Sequence, residues 1–241
     1  MQFKLVKKLD EAKGTKTFVF RPNEKINFEA GQYIYITLPK LNYPDARGET
    51  RHFTISNSPT EGDDIKVTTR MREESGYKKT LDELSVGTVV EGRGPQGFFV
   101  LPTNNPDKLS RPPLPQINLF IAGGIGITPF RSMIKYAIDS GLSTPIYLIY
   151  SNSDSDFVFK KELDTWQKEY SNLKIEYIDT SVDGRIDEIK LKKLINQWNL
   201  VIVNFTAWVV GPNPFVDAVE ELLVNLNISE DNIKSEKFTG Y

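Results

Sequence analysis

The stretch Ile117–Ala122 followed by Gly123-Gly124-Ile125-Gly126-Ile127-Thr128-Pro129 constrains this chain more tightly than any other. A short apolar run of that length reads as a buried strand. Glycines at 123, 124 and 126 then leave room for something to approach the backbone. Phe130, Met133, Ile134, Ala137 and Ile138 recur at helical spacing beyond them. Thr128 is a good N-cap for that helix, and proline at 129 suits a first helical turn, where a missing N–H costs little. A strand, a glycine turn and a helix N-terminus form a site for phosphate or another anion. On its own the turn is also readable as a plain tight βα connection.

The rhythm of the chain changes around position 100. Phe3–Val6, Thr17–Phe20, Tyr33–Leu38, His52–Ile55, Ile65–Thr69 and Thr88–Glu91 are short, β-rich segments separated by Lys13-Gly14, Ala30-Gly31, Glu61-Gly62-Asp63 and Val86-Gly87. Strands so spaced predict an antiparallel barrel or sandwich, with one short helix at about Tyr77–Leu84. Leu101–Pro106 and Arg111–Pro115 are rich in proline and asparagine and read as a connection. Beyond it, strands at Ile117–Ala122, Ile146–Tyr150, Leu173–Ile178 and Ala207–Val210 alternate with helical stripes. The stripes are Phe159, Leu163, Trp166 and Tyr170, then Ile189, Leu191, Leu194 and Ile195, then Phe215, Val219, Leu222 and Leu223. Such alternation predicts a parallel sheet with helices on both faces. The expected domains are 1–110 and 111–241. Leu200–Phe205 fits neither pattern.

Composition narrows the chemistry. The chain has no cysteine, which excludes disulfides, thiolate metal sites, cysteine-held iron–sulfur clusters and a thiol nucleophile. One histidine, His52, cannot build a multi-histidine metal site, and no metal is expected. A net charge of −2 without a long basic run argues against nucleic acid. No apolar run reaches the roughly 18 residues of a membrane span, and Met1-Gln2-Phe3-Lys4 opens no signal-peptide core, so a cytoplasmic protein without membrane insertion is expected. Redox or group-transfer chemistry would be carried by an organic cofactor.

Three motifs in the first half bear on that cofactor. In Arg51-His52-Phe53-Thr54-Ile55-Ser56-Asn57-Ser58-Pro59, strand alternation puts Arg51, Phe53 and Ile55 on one side and His52, Thr54 and Ser56 on the other. An arginine beside an aromatic and hydroxyls suits a ligand joining phosphate to a flat ring, or else marks an edge strand with a solvated arginine. Ser75-Gly76-Tyr77-Lys78-Lys79 precedes a helix start whose N–H groups suit a phosphate, or is an ordinary loop. Gly94-Pro95-Gln96-Gly97-Phe98-Phe99 is a tight turn near aromatics.

In this order, with Tyr150-Ser151-Asn152 and Val210-Gly211-Pro212 downstream, the motifs resemble those of the ferredoxin–NADP reductase family in its stand-alone bacterial flavoprotein form. The resemblance covers nearly the whole chain. It implies a six-stranded antiparallel flavin-binding β-barrel followed by a parallel-sheet α/β domain that binds NAD(P). By resemblance Arg51 would pair with the flavin pyrophosphate, Phe53 would pack on the isoalloxazine, and Thr54 would sit near flavin N5 with Ser56 close by. Val67, Thr68 and Thr69 would border the adenylate or ribityl side. Gly76, Tyr77 and Lys78 would hold the pyrophosphate through main-chain donors, which favours FAD over FMN, and Gly97 would complete the turn. Gly123, Gly124, Gly126, Thr128, Pro129, Ser151, Asn152, Gly211 and Pro212 would hold the nucleotide. Phe238 or Tyr241 would cover the flavin ring, with Tyr241 a displaceable gate.

Several positions depart from the family pattern. Phe53 replaces a usual tyrosine, Val210 stands where many members have cysteine, and the turn lacks the acidic residue of the ordinary dinucleotide fingerprint. Ser153-Asp154-Ser155-Asp156 offers no cation to a ribose 2′-phosphate, so NADH is expected over NADPH, with Arg185 the one candidate to reverse that.

The implied reaction is hydride transfer from NAD(P)H to bound FAD, then electron release. The acceptor would be a separate ferredoxin or flavodoxin, a partner oxidoreductase, or a small acceptor such as free flavin. Lys7, Lys8, Arg72, Lys78 and Lys79 read either as a basic docking face or as solvated surface. The alternative function is a non-catalytic flavin- or nucleotide-binding subunit for electron relay or regulation.

Overall fold

The computed structural model describes residues 1–101, 117–201 and 205–238. Most of the proline-rich connection and Tyr241 lie outside the described residues, as does much of Leu200–Phe205. Two compact units emerge, Met1–Val100 with Arg131–Asp139, and Leu101–Phe130 with Ser140–Tyr241. The boundary expected at 110/111 also falls outside the described residues.

The first unit is a six-stranded antiparallel sheet, β1 (Gln2–Ala12), β2 (Thr15–Pro22), β3 (Tyr33–Thr37), β4 (Thr50–Thr54), β5 (Ile65–Arg70) and β6 (Val89–Gln96), in the order β4-β3-β6-β1-β2-β5. An Ile55–Val67 bridge joins the two outer strands and closes it into a barrel. Alternation explains the interior: Phe3 and Leu5, Phe18 and Phe20, Ile34 and Ile36, and Ile65 and Val67 point inward, while their neighbours face out. The helix α1 (Gly76–Glu83) contributes Tyr77 and Leu81 to the same core. Burial of each such side chain contributes about 1.5–3 kcal/mol. The last strand runs further than the sequence suggests and takes in Gly94, Pro95 and Gln96, which read as part of a turn.

The second unit is a five-stranded parallel sheet in the order β11-β10-β7-β8-β9. Its strands are β7 (Ile117–Gly123), β8 (Ile146–Asn152), β9 (Leu173–Asp179), β10 (Phe205–Pro212) and β11 (Ile233–Phe238). Because β7 is covered on both faces, Leu119–Ala122 are apolar without alternation. Leu119 and Ile121 pack toward α4 (Glu188–Gln197) and α5 (Asn213–Asn225). Phe120 points the other way and stacks on Phe130, with ring centroids 4.5 Å apart.

Four sequence expectations are corrected. Thr128 is not an N-cap: a 3-10 turn over Gly124–Gly126 leads into α2 (Ile127–Asp139), and the Thr128 hydroxyl donates back to the Ile125 carbonyl at 3.1 Å. Glycine at 124, with φ of 54°, permits that tight entry. In α4, Leu191, Leu194 and Ile195 are buried but Ile189 is 80% exposed, since residues two apart on a helix do not share a face. Phe159 and Tyr170 flank α3 (Lys160–Glu169) as its caps and do not lie within it. The second sheet has a fifth strand beyond the four expected from sequence: β11, a parallel edge strand on β10. Its Ile-Lys-Ser-Glu-Lys-Phe sequence carries little apolar signal because an edge strand is only partly covered.

Among the described residues, no helix is long and apolar enough to cross a membrane.

Candidate functional site

In the barrel unit, two of the groups expected to meet a phosphate, the Arg51 guanidinium and the Tyr77 N–H, converge on one carboxylate. Arg51 is 8% exposed, and its guanidinium donates to the carbonyls of Arg47, Gly48 and Thr50 at 2.8–3.0 Å. Its remaining terminal nitrogen pairs with Asp45, and the guanidinium lies 5.0 Å from the centre of the Tyr77 ring. Asp45 also accepts the Tyr77 N–H at 3.0 Å, the Ser75 hydroxyl at 3.1 Å and the Arg47 N–H at 3.0 Å. Ser75 is the N-cap of α1 and takes the Lys78 N–H at 3.3 Å. The arrangement is an arginine fork, a hydroxyl and a helix N-terminus around one negative charge. It suits one phosphate of a pyrophosphate, and the carboxylate shows that the donors accept an anion.

The electrostatics agree. Burial works to raise the Asp45 pKa, yet the hydrogen bonds from Tyr77, Arg47 and Ser75 and the charge of Arg51 bring it down to about 2. The Lys78 ammonium is lowered to about 8, first by burial and then by Arg72, Arg47 and Arg51. Its Nζ donates to the Arg70 carbonyl at 2.8 Å. Lys78 is therefore buried and not part of any basic docking face.

The remaining barrel residues divide. Thr54, 7% exposed, ends β4 in register with Tyr33. Phe53 lies in the barrel core with its ring 6.0 Å from that of Tyr77. The Ser56 hydroxyl bonds inside the barrel to Thr68 and to the Lys66 carbonyl, the Val67 side chain is in the core, and Thr69 is buried. These side chains are not brought onto the Arg51 cluster. Gly97 closes the turn with φ of 110° against the Tyr33 ring.

In the second unit, the strand order reverses between β7 and β10, the switch point at whose carboxyl ends open α/β sheets hold their ligands in a crevice. The glycine turn sits at one lip and Val210-Gly211-Pro212 at the other. The glycines serve the chain itself more than expected. A Cβ on Gly126 would meet the Val210 carbonyl oxygen at 2.3 Å, and one on Gly123 or Gly211 would meet the Phe215 ring at 2.7 Å. Only Gly124 of the turn has open space about it, with Asn152 Oδ1 at 3.9 Å. Pro129 stands in the first turn of α2, Thr128 is buried beside it, and Ser151 lies in register with Gly123. Asn152 Nδ2 donates to Asp154 and to the Asp156 carbonyl, fixing an acidic loop at the end of β8. Asn152 is in register with Asp179, whose N–H bonds Asp183, so more carboxylates gather there. Phe238 is in register with Pro212, and Tyr241 lies outside the described residues.

Two positions had no clear sequence signal. Asp45 is distant in the chain from Ser75 and Tyr77, and nothing in its linear context marks it. Glu236, in register with Val210, is raised by burial to about 7, and its Oε2 has no partner among the described residues.

Residues 2–101 match the oxidoreductase FAD-binding domain, and residues 120–221 match the oxidoreductase NAD-binding domain. The chain belongs to the ferredoxin–NADP reductase-like family of FAD- and NAD-binding oxidoreductases. It is 27% identical to flavohemoprotein A of Dictyostelium discoideum over 98% of its length and 60% of that protein's. It is 29% identical to the phenol hydroxylase P5 protein of Acinetobacter pittii over 94% of its length and 61% of the relative's. The chain thus spans about 60% of the length of these curated relatives. The FAD/NAD-binding domain of a nitric oxide dioxygenase from Vibrio cholerae has the same fold, with a TM-score of 0.80 at 19% identity and 98% of each chain covered.

Proposed function

We propose that this chain is an FAD-dependent NAD(P)H oxidoreductase that prefers NADH and passes electrons to a separate acceptor, with a FAD-binding domain over 1–110 and a nucleotide-binding domain over 111–241. The observation that carries the reading is the convergence of Arg51, Ser75 and the Tyr77 N–H on one buried anion in the FAD-binding unit. FAD, when bound, supplies the hydride acceptor and the means of releasing electrons to the next carrier. The chain's own groups bind and orient. Arg51 and the start of α1 neutralise pyrophosphate, and Thr54 at the end of β4 offers a hydroxyl to the ring edge. In the second unit, Gly124 and the start of α2 receive the nucleotide's phosphates at the crevice between β7 and β10.

Preference for NADH rests on Asp154 and Asp156, which crowd the end of β8 with negative charge where a 2′-phosphate would need a cation. Arg185 is exposed, and its carbonyl holds the Lys190 ammonium. Tyr241 remains the proposed cover for the flavin ring, and truncation after Phe238 should then alter the flavin spectrum and nucleotide access. The acceptor is proposed to be a carrier protein, a partner oxidoreductase or free flavin, in a cytoplasmic setting.

The test is anaerobic reduction of the FAD-loaded protein by NADH and by NADPH, followed by addition of ferredoxin, flavodoxin or free flavin. Bleaching by NADH with turnover on an acceptor is expected. Bound FAD that neither nucleotide reduces would replace the enzyme with a binding subunit.

A further inference from the structure

The loop between β3 and β4 makes an unusual choice of what to bury. From Asn42 to Arg47 its residues are exposed except for Asp45, whose side chain is 8% exposed. A surface loop gains nothing from burying a lone carboxylate unless that charge is matched. Here it is matched by the groups that a flavin pyrophosphate needs. Elsewhere hydrogen bonds tie the loop to α1: the Asn42 N–H donates to Thr80, while Asn42 Nδ2 and the Tyr43 hydroxyl donate to Glu83. Gly76 allows this closeness, since a Cβ there would lie 2.4 Å from the Pro44 carbonyl oxygen.

We infer that Asp45 is a built-in stand-in for the flavin pyrophosphate, and that loop 42–48 is a loading latch which FAD displaces. This rests on the assignment of Arg51 and the start of α1 to the pyrophosphate. Two anions cannot share those donors, because like charges at contact in a buried site repel strongly. The carboxylate therefore leaves as the phosphate arrives, and the exposed loop moves with it at little cost in apolar burial. In the apoprotein Asp45 keeps the Arg51 charge paired and α1 capped. Asp45 stays ionised throughout the physiological pH range, so its own titration does not release it and competition between anions does.

The experiment measures FAD binding to full-length apoprotein by flavin fluorescence quenching, at equilibrium and by stopped flow. Asp45→Asn keeps the shape and removes the competing charge. It should tighten FAD binding about tenfold or more, a gain of about 1.4 kcal/mol per tenfold. The thermal shift on adding FAD should also grow, because Arg51 is left unpaired only in the apoprotein. Glu83→Gln loosens the grip on Asn42 and Tyr43 without touching the anion donors and should speed FAD association several-fold. Weaker or unchanged FAD binding in Asp45→Asn, or an unchanged association rate in Glu83→Gln, overturns the latch and leaves Asp45 as a fixed support for Arg51. Arg51→Ala separates the two levels of the inference. If that variant binds FAD as tightly as wild type, the pyrophosphate assignment falls and the latch falls with it. If it loses FAD while Asp45→Asn shows no gain, only the latch falls.

Discussion

The carbonyl oxygen of Val210 lies where a side chain on Gly126 would have to begin, 2.3 Å from that Cβ position. The turn after β7 and the end of β10 are thereby locked against each other within the nucleotide-binding unit. Backbone is on the receiving side, so no rotamer change relieves the clash. Gly126→Ala should cost roughly 1–3 kcal/mol by overpacking and weaken flavin reduction by NADH. FAD affinity should stay near wild type, since the donors proposed to bind FAD lie in the other unit. Chemical unfolding and anaerobic reduction kinetics check both halves of this expectation.

Glu236 sets a pH dependence of stability. Burial raises its carboxyl from 4.5 to about 7, so the folded chain holds a proton that the unfolded chain releases between those values. Its protonated form is at home in the fold below pH 4.5, and stability falls as pH rises from there through 7. Glu236→Gln should flatten that decline by on the order of 3 kcal/mol. Urea unfolding at pH 5 and pH 8 reads the difference; equal slopes in the two proteins count against it.

Glu61 acts in the opposite sense. Its burial favours protonation, but hydrogen bonds and charge from Arg131, with the Ser58 N–H and Lys66, lower its carboxyl below the usual 4.5. The stabilisation is present above 4.5 and is lost as pH falls through the depressed folded value. Arg131 is only 3% exposed, so Glu61→Gln leaves a buried charge without its carboxylate. A loss of about 3 kcal/mol at pH 7 is expected, shrinking in acid, and thermal unfolding against pH measures it.

Nucleotide choice should respond to one added cation. Ser155 is exposed in the acidic loop whose frame Asn152 and Asp154 maintain. Ser155→Arg should raise kcat/KM for NADPH about tenfold, the worth of one charge-assisted phosphate contact, with little change for NADH. Steady-state rates with both nucleotides decide it.

Sequence alone determined the two rhythms and therefore the two units. Period-two alternation in Phe3-Lys4-Leu5 or Ile65-Lys66-Val67 suits a half-buried strand, and the apolar run Leu119–Ala122 of β7 a strand covered on both sides. The motif order around Arg51, Ser75, Gly94, Gly123 and Gly211 marked two candidate binding regions, because close backbone approach and anion binding restrict residue choice locally. Tertiary structure decided what those residues touch. It showed that Gly123 and Gly126 make room for Phe215 and Val210, that a 3-10 turn displaces Thr128 from the cap, and that β11 joins β10. It also brought Asp45 onto Arg51 and Tyr77. Such contacts join residues far apart in the chain and depend on register, charge pairing and burial, none of which leaves a periodic mark in the sequence.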